Sequence, residues 1–315
     1  MVEALAHEPV LLGPAIEALN LRPEGIYVDA TFGRGGHAGE ILKRLGDGGR
    51  LLAMDRDPAA VAEATRKFAG DKRIEIRRGP FSMLGHYVEE KGLTGKIHGV
   101  LLDLGVSSPQ LDDATRGFSF RHAGPLDMRM DPDSGESAAD WLNRADEADI
   151  AQVIKEYGEE RFARRIARLV VEERASKPIT TTGRLASICA RAVRTREPGK
   201  DPATRTFQAI RIFINNELDE VSAVLPQTLS VLKAGGRLAV ISFHSLEDRL
   251  VKRFIQKEAR GDDFPPDLPV TQSALKPRVR QVGKPIRADA DEIQRNPRAR
   301  SAVLRVAERI GGSDD

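Results

Sequence analysis

Residues 26–38 place the tightest constraint on the fold. Ile26, Tyr27 and Val28 form a short β-rich run, the chain passes through Gly33, Gly35 and Gly36, and a helical pattern resumes around Ala38. A strand that ends in glycines and restarts as a helix brings bare backbone N–H groups, and the positive end of a helix dipole, close to a ligand. The hexapeptide Gly33-Arg34-Gly35-Gly36-His37-Ala38 fits a G-x-G-x-x-[GA] loop, with His37 where a backbone N–H meets the ligand. A second run, Leu51–Met54, ends in Asp55. An acidic side chain about 20 residues past such glycines is where a ribose finds its hydroxyl acceptor. These residues predict a nucleoside-bearing cofactor, and a nicotinamide dinucleotide fits the loop and Asp55 as well as any other.

The rest of the chain supplies the frame for that loop. Strands are expected at 26–29, 50–54, 73–77, 99–103 and 236–242, with a last one at Ala302–Val306. Helical patterns separate the first four, which implies a parallel sheet with right-handed crossovers. Asp57-Pro58 opens one of those helices, since Asp suits an N-cap and Pro the first helical position. After residue 103 roughly 130 residues pass before the next strand, too many for a structureless loop. Their helical patterns, Ile150–Tyr157, Arg161–Glu173, Leu185–Arg194 and Phe207–Leu225, predict an inserted helical domain over 113–216. The core is then discontinuous, 1–112 and 217–315. In open α/β sheets the ligand crevice lies beyond the carboxyl ends of the strands, so the insert emerges where a substrate-selecting lid belongs. The run Phe264–Pro269 is restricted by its prolines to extended or turn conformations.

Composition narrows the class. No apolar run approaches the ~18 residues of a membrane span, and the first residues lack the pattern of a signal peptide. A single cysteine, Cys189, leaves no internal disulfide or cysteine-based zinc site, and the six histidines have no metal-ligand spacing. A cytoplasmic protein without a metal is expected. The net charge of +2 hides blocks: 159–211 carries thirteen basic against six acidic residues, and 273–305 nine against three. Such blocks track a phosphate backbone, so a nucleic-acid substrate is expected. Helices 161–174 and 184–196, with segment 276–300, are the expected phosphate grips.

Two further stretches fall at strand carboxyl ends. Asp103 precedes Leu104-Gly105-Val106-Ser107-Ser108-Pro109-Gln110, an acid followed by small residues and a proline, as where amino-methyltransferases hold an exocyclic amine. An aromatic amine is a poor nucleophile because its lone pair is delocalised. Acceptors that orient its N–H bonds line that pair up with a methyl group. Ser242-Phe243-His244-Ser245 follows the fifth strand; Phe243 suits stacking on a base, and His244 suits a hydrogen bond or proton transfer. No G-x-S-x-G elbow surrounds the serines.

These stretches closely resemble the MraW (RsmH) family of small-subunit ribosomal RNA methyltransferases. The likeness runs through His7–Leu12, Asp29–His37, Asp55–Asp57, Gly79–Phe81, Asp103–Asp112, Arg116–Phe120, Leu126–Asp131, Tyr157–Glu160, Thr204–Ala209, Ser242–Arg249 and Asn296–Ser301, nearly the whole chain. It implies a Rossmann-like S-adenosylmethionine-dependent methyltransferase core with an inserted all-helical domain. The implied reaction is N4-methylation of a cytidine in the decoding centre of 16S ribosomal RNA, with the small ribosomal subunit as partner. Family cofactor positions fall on Gly35, Gly36 and His37 at the methionine end, Asp55 at the ribose and Phe81 at the adenine, with Asp103 and Gln110 completing the set. Asp103, Ser107, Ser108 and Pro109 are the expected holders of the amine, and His244 is a catalytic candidate. A hydride-transfer enzyme, a non-catalytic RNA-binding factor and a methyltransferase for DNA or protein amines are the alternatives. An unpaired final strand would offer an edge for a homodimer.

Overall fold

The computed structural model describes residues 9–193, 201–262 and 275–311. The proline run 264–269 and Arg194, Arg196 and Lys200 of the basic block lie outside them. Among the described residues seven strands make one sheet: β1 (Ile26–Asp29), β2 (Arg50–Asp55), β3 (Ile74–Arg78), β4 (Ile97–Asp103), β5 (Leu232–Ser242), β6 (Val279–Gln281) and β7 (Val303–Arg309). The helices are α1 (Leu12–Ala18), α2 (Gly36–Arg44), α3 (Pro58–Lys67), α4 (Leu84–Glu90), α5 (Ser108–Asp112), α6 (Ala138–Arg144), α7 (Glu147–Gly158), α8 (Ala163–Ser176), α9 (Thr182–Ala192), α10 (Thr204–Ile214), α11 (Glu217–Val231), α12 (Ser245–Arg260) and α13 (Ala290–Arg295). Contacts divide the chain into one unit of 1–105 with 218–315 and a second of 106–217. The first break thus falls at Gly105, seven residues before the Asp112 boundary drawn from the sequence.

The first unit is a Rossmann-like α/β core with strand order β3-β2-β1-β4-β5-β7-β6, parallel through β5. Alternate residues serve opposite faces, as the period of two dictates. Tyr27, Leu51, Leu101 and Ile241 join the cluster beneath α1 and α2. Val28, Leu52, Leu102 and Val240 join the one with Tyr87, Val224 and Val251. Both faces being covered explains the nearly continuous apolar runs of these strands. Asp57 caps α3 through its side chain, accepting from the Ala59 N–H at 2.9 Å, with Pro58 in the first turn. Strand order reverses between β1 and β4, which makes their carboxyl ends the topological switch point.

The structure departs from the sequence expectations at two places. The final strand is not unpaired: β7 lies between β5 and β6 and is antiparallel to both. The edge is β6, three residues with no readable alternation, followed by a strap in which Val282 and Ile286 donate to Val306 and Leu304. The homodimer expectation thereby loses its basis. The pattern Phe207–Leu225 is also not one helix. Chain direction changes at Asn215 and Asn216, the latter left-handed at φ 51°, and α10 and α11 lie on either side.

The second unit is helical around its own core, which includes Trp141, Ile154, Ile166, Leu185 and Ile210. Asn215 is the hub of its longest loop. Its side chain donates to the Met128 carbonyl and accepts from the Met130 N–H, both at 2.7 Å. Arg116 adds donors to the carbonyls of Arg129 and Met130. Met128 is buried and held left-handed at φ 63°, an uncommon state for a non-glycine residue that surrounding bonds must enforce.

Candidate active site

The switch point of the first unit is ringed by acids. Asp29 ends β1, Asp55 ends β2 and Asp103 ends β4, while Glu247 stands in the first turn of α12 just past β5. Backbone bonds fix the loop between them. The Phe32 N–H donates to the Met54 carbonyl at 2.9 Å, and Gly33 N–H to Asp55 Oδ2 at 2.8 Å. The Asp103 N–H donates to Thr31 Oγ1 at 2.6 Å, tying β4 to the loop after β1.

Burial raises the three strand-end carboxyls, and each also feels a neighbouring acid. Burial pushes the Asp29 carboxyl up to about 7, with the Thr31 N–H opposing and Asp55 adding repulsion. Asp55 is pushed up to about 6, first by burial, despite N–H donors from Asp57 and Gly33. Asp103 is raised well above the carboxylate range by burial, then by the charges of Asp29 and Glu247. Its side chain is 24% exposed, so one side of the carboxyl faces outward, but Oδ1 is buried. Asp29 Oδ2 and Asp103 Oδ1 accept no hydrogen bond. Buried carboxylates without donors are costly unless a ligand compensates them.

His37, buried in the first turn of α2, places Nδ1 3.6 Å from Asp103 Oδ2. Burial lowers its basicity to about 4, with the Val10 carbonyl opposing, so the ring is neutral at pH 7 and the contact is not an ion pair. Gly35 sits left-handed at φ 66° directly against Phe32, and Gly36 against Pro9. Both positions need glycine for internal packing as well as for any ligand. Phe81 opens the short turn after β3 and is partly buried.

Asp55 is already engaged through both oxygens, Oδ1 by the Asp57 N–H and Oδ2 by that of Gly33, so a ribose would use its remaining lone pairs. His244 caps α12: Nδ1 accepts from the Glu247 N–H at 3.4 Å, and Nε2 lies 3.1 Å from Glu247 Oε1. Glu247, 1% exposed, takes the Phe243 N–H at 2.8 Å and the His244 N–H at 3.3 Å on Oε2. Phe243 packs beside Gly105, which is left-handed at φ 95°. In the second unit, Ser107, Ser108 and Pro109 open α5, and Gln110 Oε1 receives the Ser107 N–H at 2.9 Å in a capping box.

Sequence reasoning passes over Asp29 and Glu247 as site residues. Position gives a signal for the first, an acid at a strand end just before the glycine loop. Glu247 is the third residue of a capping box, masked because its partner is a histidine and not Ser or Thr. The basic segments divide. Arg164 and Arg168 are exposed on α8, and Arg161 is exposed just before it. Arg174 is spent on the carbonyls of Leu142 and Ala145, Arg184 and Arg191 on Glu173, and Arg278 on Glu258 and Asp262.

A Rossmann-like core whose switch point gathers unneutralised acids around a glycine loop suits a cofactor that carries both a nucleoside and positive charge, the class of S-adenosylmethionine-dependent methyltransferases. The chain belongs to the MraW methylase family, whose pattern matches residues 4–310. It is accordingly an S-adenosylmethionine-dependent methyltransferase. Among solved structures it is similar to a candidate rRNA methylase from Clostridium thermocellum (12% identity, 96% of this chain, 100% of that one, TM-score 0.46). It is also similar to an rRNA methylase from Streptococcus thermophilus (14%, 98% and 100%, TM-score 0.41). A candidate methyltransferase from Streptococcus mutans, solved with S-adenosylhomocysteine, is similar at 12% (96% and 100%, TM-score 0.41). No helix among the described residues is long and apolar enough to cross a membrane.

Proposed function

We propose that this enzyme methylates the N4 amine of a cytidine in the decoding centre, the P-site region, of 16S ribosomal RNA, acting on the small subunit in the cytoplasm. The observation that carries the reading is the pair of undonated buried carboxylate oxygens on Asp29 and Asp103. They suit the ammonium and sulfonium charges of S-adenosylmethionine, whose sulfonium supplies an activated methyl group and its own leaving group when bound. Gly35, Gly36 and His37 take the methionine end in this reading, Asp55 the ribose, and Phe81 the adenine, with Asp103 and Gln110 the remaining cofactor positions that the family resemblance implies.

The protein's own work is positioning and exclusion of water. Neutral His37 brings no charge to Asp103, so a bound cation is what would favour the ionised carboxylate there. Ser107, Ser108 and Pro109, a few residues along the chain from Asp103, are assigned to the amine. A hydroxyl or carbonyl there accepts an amine N–H and turns the nitrogen lone pair toward the methyl group. Phe243, its backbone pinned by Glu247, is the proposed stacking partner for an unstacked base. His244 enters as the residue that sets that turn.

The test is methyl transfer from tritiated S-adenosylmethionine to small subunits from a strain lacking this gene, followed by nucleoside analysis. Label as N4-methylcytidine is the expected result. Absence of label on subunits and on free 16S RNA, with cofactor binding intact, overturns the substrate.

A further inference from the structure

Helix α12 sorts its charge by face. All three of its acids turn inward and are engaged. Glu247 holds the Phe243 and His244 N–H groups, Asp248 receives Arg305 at 2.7 and 3.0 Å, and buried Glu258 receives Arg278 at 2.7 Å. The outward positions are Arg249, Lys252, Arg253, Gln256, Lys257 and Arg260, every one exposed. Steps of three and four residues place them on one face, and at 1.5 Å per residue that face runs roughly 16 Å. It carries no carboxylate.

A solvated helix face ordinarily mixes signs and gains from oppositely charged neighbours. Lys252, Arg253 and Lys257 are cations of one sign crowded on that face, a cost that a polyanion relieves. The inward-facing acids make the segregation invisible in composition, since helix α12 as a whole holds both signs. Lys284 extends the field, lining with Lys252 the cleft between α12 and the strap after β6. The helix also starts at the reaction edge. Ser242 ends β5, and Phe243 and His244 lead directly into α12.

We infer that the outward face of α12 grips the phosphate backbone of the ribosomal RNA next to the target base. This rests on the ribosomal RNA reading above and names a surface for it that runs away from the reacting base. An anionic membrane is the less suitable partner, because a helix that lies in a lipid interface needs an apolar face turned to the lipid. The apolar residues Val251 and Ile255 of α12 are buried in the core instead.

The test compares the wild type with a Lys252→Gln, Arg253→Gln, Lys257→Gln triple variant. The control is Arg66→Gln, Lys72→Gln, Lys96→Gln, exposed cations outside α12 with the same change in charge. Binding of a 16S RNA fragment spanning the decoding centre is measured across a salt series, together with S-adenosylmethionine affinity. The α12 variant is expected to keep cofactor affinity, to lose about tenfold or more in RNA affinity near physiological salt, and to flatten the log–log salt slope by about 2. The control keeps both. Unchanged RNA affinity and slope in the α12 variant, equal loss in the control, or wild-type preference for phosphatidylserine vesicles over RNA overturns the assignment. Wild-type protein that methylates RNA while the α12 variant binds it unchanged removes only this surface. Wild-type protein that binds cofactor but neither binds nor methylates RNA removes the ribosomal reading as well.

Discussion

Asp29 and Asp103 end adjacent parallel strands at the switch point of the sheet, and each keeps one buried carboxylate oxygen without a donor. Two acids in that position repel one another, and burial raises both. The arrangement is unfavourable for the empty protein and favourable for one that holds a cation there. That opposition has measurable consequences.

Stability of the cofactor-free enzyme should fall as pH rises from about 4 to about 7. Asp29 holds its proton in the folded state up to about 7 and loses it when unfolded near 3.8. Between those values the folded form binds more protons than the unfolded form. The contribution is fully present below the unfolded value and is lost as pH passes the folded one, at up to about 1.4 kcal/mol per pH unit for one proton. Thermal melts from pH 5 to 8 should show the decline, Asp29→Asn should flatten it, and cofactor should reduce it by stabilising the ionised form. Calorimetry in buffers of different ionisation enthalpy should detect proton release on cofactor binding. A melting temperature that climbs through this window contradicts the account.

His244→Asn separates capping from proton transfer. Asparagine is a strong N-cap, so stability should stay within about 1 kcal/mol of the wild type. A proton-transfer role predicts a loss of about 10²–10⁴ in turnover. The observed cap geometry predicts less than tenfold, with single-turnover methyl transfer as the measurement.

Gly35→Ala should be costly. The position is left-handed, and an added Cβ would overlap the ring of Phe32. Backbone strain of about 1 kcal/mol joins about 1–3 kcal/mol of overpacking. Urea denaturation should show a loss of about 2–4 kcal/mol, and cofactor affinity should fall with it.

Asn215→Ala should loosen the loop of the second unit. Removing the amide strips the Met130 N–H and the Met128 carbonyl of their bonds, and each buried group left unsatisfied costs about 1–3 kcal/mol. Limited proteolysis should find new cleavage near 126–131. Resistance equal to the wild type would show that Arg116 alone holds the loop.

The core strands were readable in the chain because burial on both faces writes long apolar runs, and the cap at Asp57-Pro58 because its chemistry is local. The break at Asn215–Asn216 was not. Apolar spacing continues across it, and the turn is held by bonds to Met128 and Met130, more than eighty residues away. Strand β6 escaped notice for a related reason, since its three residues are strand only through pairing with β7. Glycines, acids and basic blocks pointed from the sequence alone to a nucleoside cofactor and a polyanionic substrate. Which acids lack donors, and which cations of α12 face outward, depended on Arg278 and Arg305 reaching Glu258 and Asp248 from distant segments. Local propensity and periodicity act within a few residues, whereas the charge left over after pairing and burial is decided only once the folded chain brings its distant parts together.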